Sequence, residues 1–219
     1  KSYNKGNWWI QDFSSSFPLS NIKKDLVSGS IIDLCAAPGG KSFQLLSLKK
    51  NVILNDVNKK RITLLKKNLE RLNFSPKILS FNVKNIKYSN KYNLIILDAP
   101  CSAIGTIRKN PEIFFRIKKP DIDSLIKNQK IMLRNAAKIL EVNGVILYMV
   151  CSFFKDETTQ QIEDFLQENK NFSLYSFSIS DENLYYKKFI KNNLMLTLPS
   201  QISGYNIDGY FASYLKKNK

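Results

Sequence analysis

The chain has 219 residues, 43% of them hydrophobic and 24% charged, which suits one large domain with its own core and excludes a disordered chain. Lys and Arg number 34 against 18 Asp and Glu, a net charge of +16. There is no His at all, which excludes Ser-His-Asp and Cys-His catalytic units and His-ligated metals.

The only cysteines are Cys35, Cys101 and Cys151, far apart and without a CxxC pair, so neither a disulfide scaffold nor a zinc module is expected, and no metal. Free thiols imply a reducing compartment, the cytoplasm. No apolar run is long enough to span a bilayer, Val145 to Phe154 being far too short, and no secretory signal is read at the start. The positive charge fits a polyanion partner such as nucleic acid, and equally a composition biased towards Lys, Asn and Ile.

Residues 1–29, with Trp8, Trp9, Phe13 and Phe17, read as a segment packing on a single domain over 30–219. Ile31 to Leu34 is a short buried-strand pattern followed by a Pro-Gly-Gly turn, and a helix is expected to start near Lys41. Val52 to Asp56 is a second strand. Lys59 to Leu72 places Ile62, Leu65, Leu69 and Leu72 at helical spacing. Ile78 to Phe81 and Leu94 to Asp98 read as the third and fourth strands. Asp121 to Leu140 is the longest helical pattern, with Asn143-Gly144 expected to end it. Val145 to Val150 is a fifth strand and Asp156 to Glu168 a helix. Strand-like runs follow at Leu194 to Leu198 and Gly209 to Leu215.

Strands alternating with helices predict a mainly parallel α/β sheet, whose ligands sit at the carboxyl ends of the strands. Asp33, Cys35, Asp56, Asp98, Cys101 and Cys151 all fall at or just after such ends. Small residues and glycines from Cys35 to Lys41 let a ligand approach the backbone, and the helix that follows offers free N–H groups to an anionic group. The run is neither GxGxxG nor a full phosphate-loop motif. Asp56 stands where an acidic side chain can accept from ribose hydroxyls.

The run Asp33-Leu34-Cys35-Ala36-Ala37-Pro38-Gly39-Gly40-Lys41 resembles the first motif of the RNA cytosine carbon-5 methyltransferases of the RsmB (Fmu/Sun) type. Asp98-Ala99-Pro100-Cys101-Ser102 resembles their fourth motif and Tyr148-Met149-Val150-Cys151-Ser152 their sixth. Gln11-Asp12 and Asp208-Gly209-Tyr210-Phe211 match in order. The resemblance implies a class I S-adenosylmethionine-dependent (SAM-dependent) methyltransferase, a Rossmann-like α/β fold with a seven-stranded, mainly parallel sheet whose last strand pair is reversed. It implies that Cys35, Ala36, Ala37, Pro38, Gly39, Gly40, Lys41, Asp56, Asn82 and Asp98 line the SAM site. It further implies methyl transfer to carbon 5 of cytosine in RNA, ribosomal RNA of the 16S type. Cys151 is then the nucleophile, Cys101 the aid to product release, Asp98 a contact to base and methyl donor, and Lys41 a positive charge favouring a thiolate.

Four positions depart from the pattern. Asn82 replaces an Asp, Val150 a Thr, Ala103 a Gly, and Ser16 a frequent Gln. The family's separate N-terminal RNA-binding domain has no counterpart in the sequence.

The chemistry needs these residue types. Carbon 5 of cytosine is a poor nucleophile until a thiolate adds to carbon 6, and cysteine both attacks and leaves well. Arg108, Lys109 and Arg116, following the fourth motif, are candidate RNA phosphate contacts or ordinary surface charge. Trp8, Trp9, Phe114 and Phe115 are candidate stacking residues or core. A DNA cytosine methyltransferase would use the Pro-Cys cysteine and a different cofactor loop. A methyltransferase for small molecules or proteins has no need of two strand-end cysteines. A non-catalytic RNA-binding protein that keeps the fold is the alternative left open.

Overall fold

The structure, a computed structural model, describes residues 1–86, 91–115 and 121–219. In chain order, helix α1 (Phe13–Ser20) precedes strand β1 (Ile31–Asp33), α2 (Gly40–Ser47), β2 (Val52–Asn55), α3 (Lys59–Arg71) and β3 (Ile78–Leu79). Then come β4 (Tyr92–Asp98), α4 (Ile122–Lys138), β5 (Leu140–Val150), α5 (Thr159–Glu168) and β6 (Phe172–Tyr175). The chain closes with β7 (Ile190–Lys191), β8 (Leu194–Thr197), β9 (Ser200–Ile202), β10 (Tyr205–Ile207) and β11 (Tyr210–Lys217).

The main sheet runs β3-β2-β1-β4-β5-β11-β8-β7. The first five strands are parallel, and β11 is antiparallel to β5. Among the described residues it has nine strands rather than the expected seven. β8 pairs with the first half of β11 and β6 with the second, so two short strands share one place, and β7 extends the edge. β9 and β10 form a separate hairpin.

Alternation along the central strands builds two cores. Leu94 and Ile96 of β4, with Val145, Leu147 and Met149 of β5, face the layer holding Phe17, Phe43, Leu65 and Leu69. Ile95 and Leu97, with Ile146, Tyr148 and Val150, face Met132, Leu133, Ile162 and Phe165 of α4 and α5. This is the period-2 pattern of a strand covered on both faces. Each such Leu or Ile holds the fold by about 2–5 kcal/mol against truncation to Ala. Helix starts follow local chemistry. Asp12, Asn58 and Asp121 each accept a hydrogen bond from the first-turn amides of α1, α3 and α4. Phe17 and Leu19 of α1 lie in the same core as β1 and β2, so the N-terminal segment is part of the packed unit.

The longest helix ends at Lys138, before Asn143-Gly144. Those two residues lie inside β5, where the pairing jumps from Tyr92–Leu140 to Leu94–Val145. Asn143 takes φ +63° there. A turn signal that reads as a helix stop serves a β-irregularity instead.

Candidate active site

The parallel strands bring their carboxyl ends to one rim. After β1, the buried Asp33 carboxylate accepts from the Ser42 hydroxyl (2.6 Å) and the Cys35 amide (3.3 Å), which ties the loop to the first turn of α2. Gly39, at φ +120°, precedes α2 and supplies no capping side chain, so a bound anionic group finds the first-turn amides uncapped. Asp56 after β2 accepts from the amides of Ala37 (3.2 Å) and Asn58 (2.9 Å), and Arg61 lies 3.5 Å away. A carboxylate has about four acceptor positions, so Asp56 can still take a ribose hydroxyl. A cleft of about 250 Å³ joins Cys35, Asp56, Asn82, Lys84, Pro100 and Met132. Asn82 is exposed on its edge, and its side-chain oxygen caps the turn at Val83–Asn85. The acidic group and the apolar wall suit a nucleoside, while Pro38, Gly40 and Lys41 line a neighbouring cleft that can take a charged tail.

The second half of the rim holds the thiols. Cys101 follows β4 and Cys151 follows β5, and their sulfurs lie 3.3 Å apart, both free. Asp98 ends β4, where its carboxylate meets the Lys41 ammonium at 2.7 Å and accepts from the Tyr210 hydroxyl at 2.7 Å. Lys41 also lies 5.2 Å from the centre of the Tyr210 ring.

The electrostatics separate the three cysteines. Burial and the acidic group of Asp33 push the Cys35 thiol well up, which leaves it inert. The hydrogen bond with Cys151, then burial, push the Cys101 thiol well up. Burial pulls the Lys41 ammonium down, but Asp98, Asp33 and Cys151 outweigh it and Lys41 is held above its ordinary value. Lys41 is therefore a fixed positive charge beside Cys151.

Arg108 and Lys109 turn inward. Lys109 meets Asp12 and Asp208 at 2.7 Å each, and Arg108 meets Asp208 at 3.0 Å and Asp12 at 3.4 Å. A phosphate there has to compete with two carboxylates. Arg116 lies outside the described residues. Trp9 packs on the core and Trp8 stacks edge-on with Tyr3, whereas Phe114 and Phe115 are exposed.

Two residues at this site, Gln129 and Glu157, escape a reading of the sequence for chemistry; they bond to the turn that carries Cys101. Gln129 carries a signal, being a polar residue on the apolar stripe of the longest helix. Glu157 carries none.

Among the described residues no group of His, Cys, Asp and Glu could hold a metal ion, and no helix is long and apolar enough to cross a membrane.

A mainly parallel sheet with a reversed strand beside β5, a glycine loop after β1 and an acid after β2 define a class I SAM-dependent methyltransferase. The family model for the 16S rRNA methyltransferase RsmB/F matches residues 23–216, and the chain belongs to that family. The ribosomal RNA small subunit methyltransferase B of Photorhabdus laumondii is 32% identical over 184 residues, covering 82% of this chain and 43% of that protein. A probable ribosomal RNA small subunit methyltransferase B of Coxiella burnetii is 31% identical over 226 residues, covering 99% of this chain and 50% of that one. The chain thus spans about half the length of the curated relatives it matches. Among solved structures, NSun6 from Pyrococcus horikoshii with SFG, an analogue of SAM, superposes with a TM-score of 0.82 at 25% identity. That match covers 100% of this chain and 55% of that one. The cofactor of the family is SAM.

Proposed function

We propose that this chain transfers a methyl group from SAM to carbon 5 of a cytosine in ribosomal RNA, with Cys151 as nucleophile. The observation that carries this is the pair of free thiols 3.3 Å apart at the ends of β4 and β5, beside the Lys41–Asp98–Tyr210 cluster.

The cofactor, when bound, supplies an electrophilic sulfonium methyl. Cys35 to Lys41, Asp56, Asn82 and Asp98 are the residues that would hold it. Cys151, the cysteine that follows β5, is the attacking sulfur in this reading, and the Lys41 ammonium interacts with it. Its thiolate adds to carbon 6 of the base, and the electron pair of the 5,6 double bond makes carbon 5 nucleophilic. Asp98, held by Lys41 and Tyr210, then meets the polar edge of the base. Once carbon 5 carries the methyl group, its proton passes to solvent water. The 5,6 double bond re-forms and the carbon–sulfur bond breaks, its electron pair returning to Cys151. Cys101, the neighbouring sulfur, serves this release. A base inside a stem has to be flipped out first, so loops and single strands are the favoured targets.

The test is methyl transfer from labelled SAM to total ribosomal RNA, followed by nucleoside analysis. Label in 5-methylcytidine supports the proposal, and label confined to another nucleoside overturns it. SAM binding without transfer points to a separate targeting domain or partner, and no SAM binding leads to the RNA-binding reading.

A further inference from the structure

Glu157, on the turn before α5, is buried and lies outside the three motifs. Its Oε1 accepts from the Ser102 amide (2.8 Å) and the Gln129 side chain (3.0 Å), and its Oε2 accepts from the Ser102 hydroxyl (2.5 Å). Ser102 follows Cys101. Gln129 also donates to the carbonyl of Pro100, the residue before Cys101, at 3.0 Å. Cys101 is thus pinned on both sides through one carboxylate. The second cysteine is tied to the same knot. The hydroxyl oxygens of Ser102 and Ser152 lie 3.2 Å apart, and Ser152 follows Cys151. The Tyr148 hydroxyl of β5 donates to the Glu157 carbonyl at 2.9 Å, which fixes the turn itself. Buried donors need partners, so these bonds hold their geometry firmly.

We propose that Glu157 is a positioning residue that holds Cys101 against Cys151 and is required for release of the methylated RNA. The inference rests on the proposed function, because release matters only if Cys151 bonds to the base. Glu157 does not touch the substrate. Without its carboxylate, the Ser102 turn loses its anchor, Cys101 leaves its 3.3 Å contact, and the product stays bound through Cys151.

The experiment compares covalent RNA–protein adduct, read as a denaturing-gel shift, after incubation with SAM and ribosomal RNA. Wild type, Glu157→Ala, Ser102→Ala, Glu157→Gln and Cys101→Ala are run together. Glu157→Ala and Ser102→Ala should hold at least about tenfold more adduct than wild type, as Cys101→Ala does. Glu157→Gln should stay near wild type, because an amide can accept from the Ser102 amide and donate to its hydroxyl. A merely structural Glu157 would lower the melting temperature and the overall rate without trapping RNA. Should Glu157→Ala fail to fold, Ser102→Ala decides, since it keeps the bond from the Ser102 amide. Wild-type adduct in the folded variants, with trapping in Cys101→Ala, overturns the role of Glu157. No trapping in Cys101→Ala overturns the covalent reading first, and this inference with it.

Discussion

Asp33 offers a test in which the sign and size of an effect follow from one buried group. Burial, and next in that direction the charge of Asp98, push its carboxyl up to about 6 from an ordinary 3.8, against the pull of Ser42 and Lys41. The folded state therefore keeps the proton to higher pH than the unfolded chain does. The associated stability is fully present below about pH 3.8 and is lost as pH rises through about 6. At about 1.36 kcal/mol per pH unit, the gap amounts to about 3 kcal/mol, of which about 1.4 kcal/mol falls between pH 5 and pH 8. Asp33→Asn removes this titration. Urea denaturation of both proteins should show the difference in unfolding free energy, variant minus wild type, rising by about 1.4 kcal/mol from pH 5 to pH 8. A constant offset from the amide that now faces Ser42 and Cys35 does not alter that slope. The same variant should bind SAM more weakly, because its loop has lost an ionic acceptor. A difference that stays flat with pH, or falls, refutes the reasoning.

Ala103 sits at φ +60°, where an alanine is strained and a glycine is not. Ala103→Gly should raise the stability by about 1 kcal/mol after the cost of a freer unfolded chain, or about 2–4 °C by calorimetry; a lower melting point contradicts this. At Gly105 a Cβ would lie 2.0 Å from the Gly209 carbonyl oxygen and 3.0 Å from that of Cys151. Gly105→Ala should cost about 2–4 kcal/mol and most of the methyl transfer, since Gly209 adjoins Tyr210; an unchanged melting curve would show that the three loops do not meet there. Lys109→Met should lose about 1 kcal/mol, because Asp12 and Asp208 lose a half-exposed partner. Its salt dependence of RNA binding should stay as in wild type, and a slope reduced by about 1 would assign Lys109 to a phosphate instead.

The strand ends were legible because each parallel strand is a short apolar run closed by a polar residue. Asp33, Asp56, Asp98 and the three cysteines could therefore be placed on one rim before any contact was known. The pairing of Asp98 with Lys41 and Tyr210 could not be read, since 112 residues separate Tyr210 from Asp98. Arg108 and Lys109 illustrate the same gap. Their charge is visible in the sequence, but Asp12 and Asp208, which neutralise it, come from opposite ends of the chain. Asn143-Gly144 misleads for a local reason, because a positive-φ residue signals a helix stop and a strand irregularity alike. Glu157 stayed hidden because a lone Glu on a turn reads as surface, and only its burial beside Ser102 and Gln129 gives it meaning.

The central claim is that Cys151, not Cys101, bonds to the base. The most direct measurement is methyl transfer to ribosomal RNA by Cys151→Ala, with SAM binding measured on the same sample. SAM binding should stay close to wild type and the rate should fall at least about a thousandfold, the scale expected when a covalent nucleophile is removed. Full transfer by Cys151→Ala would contradict it.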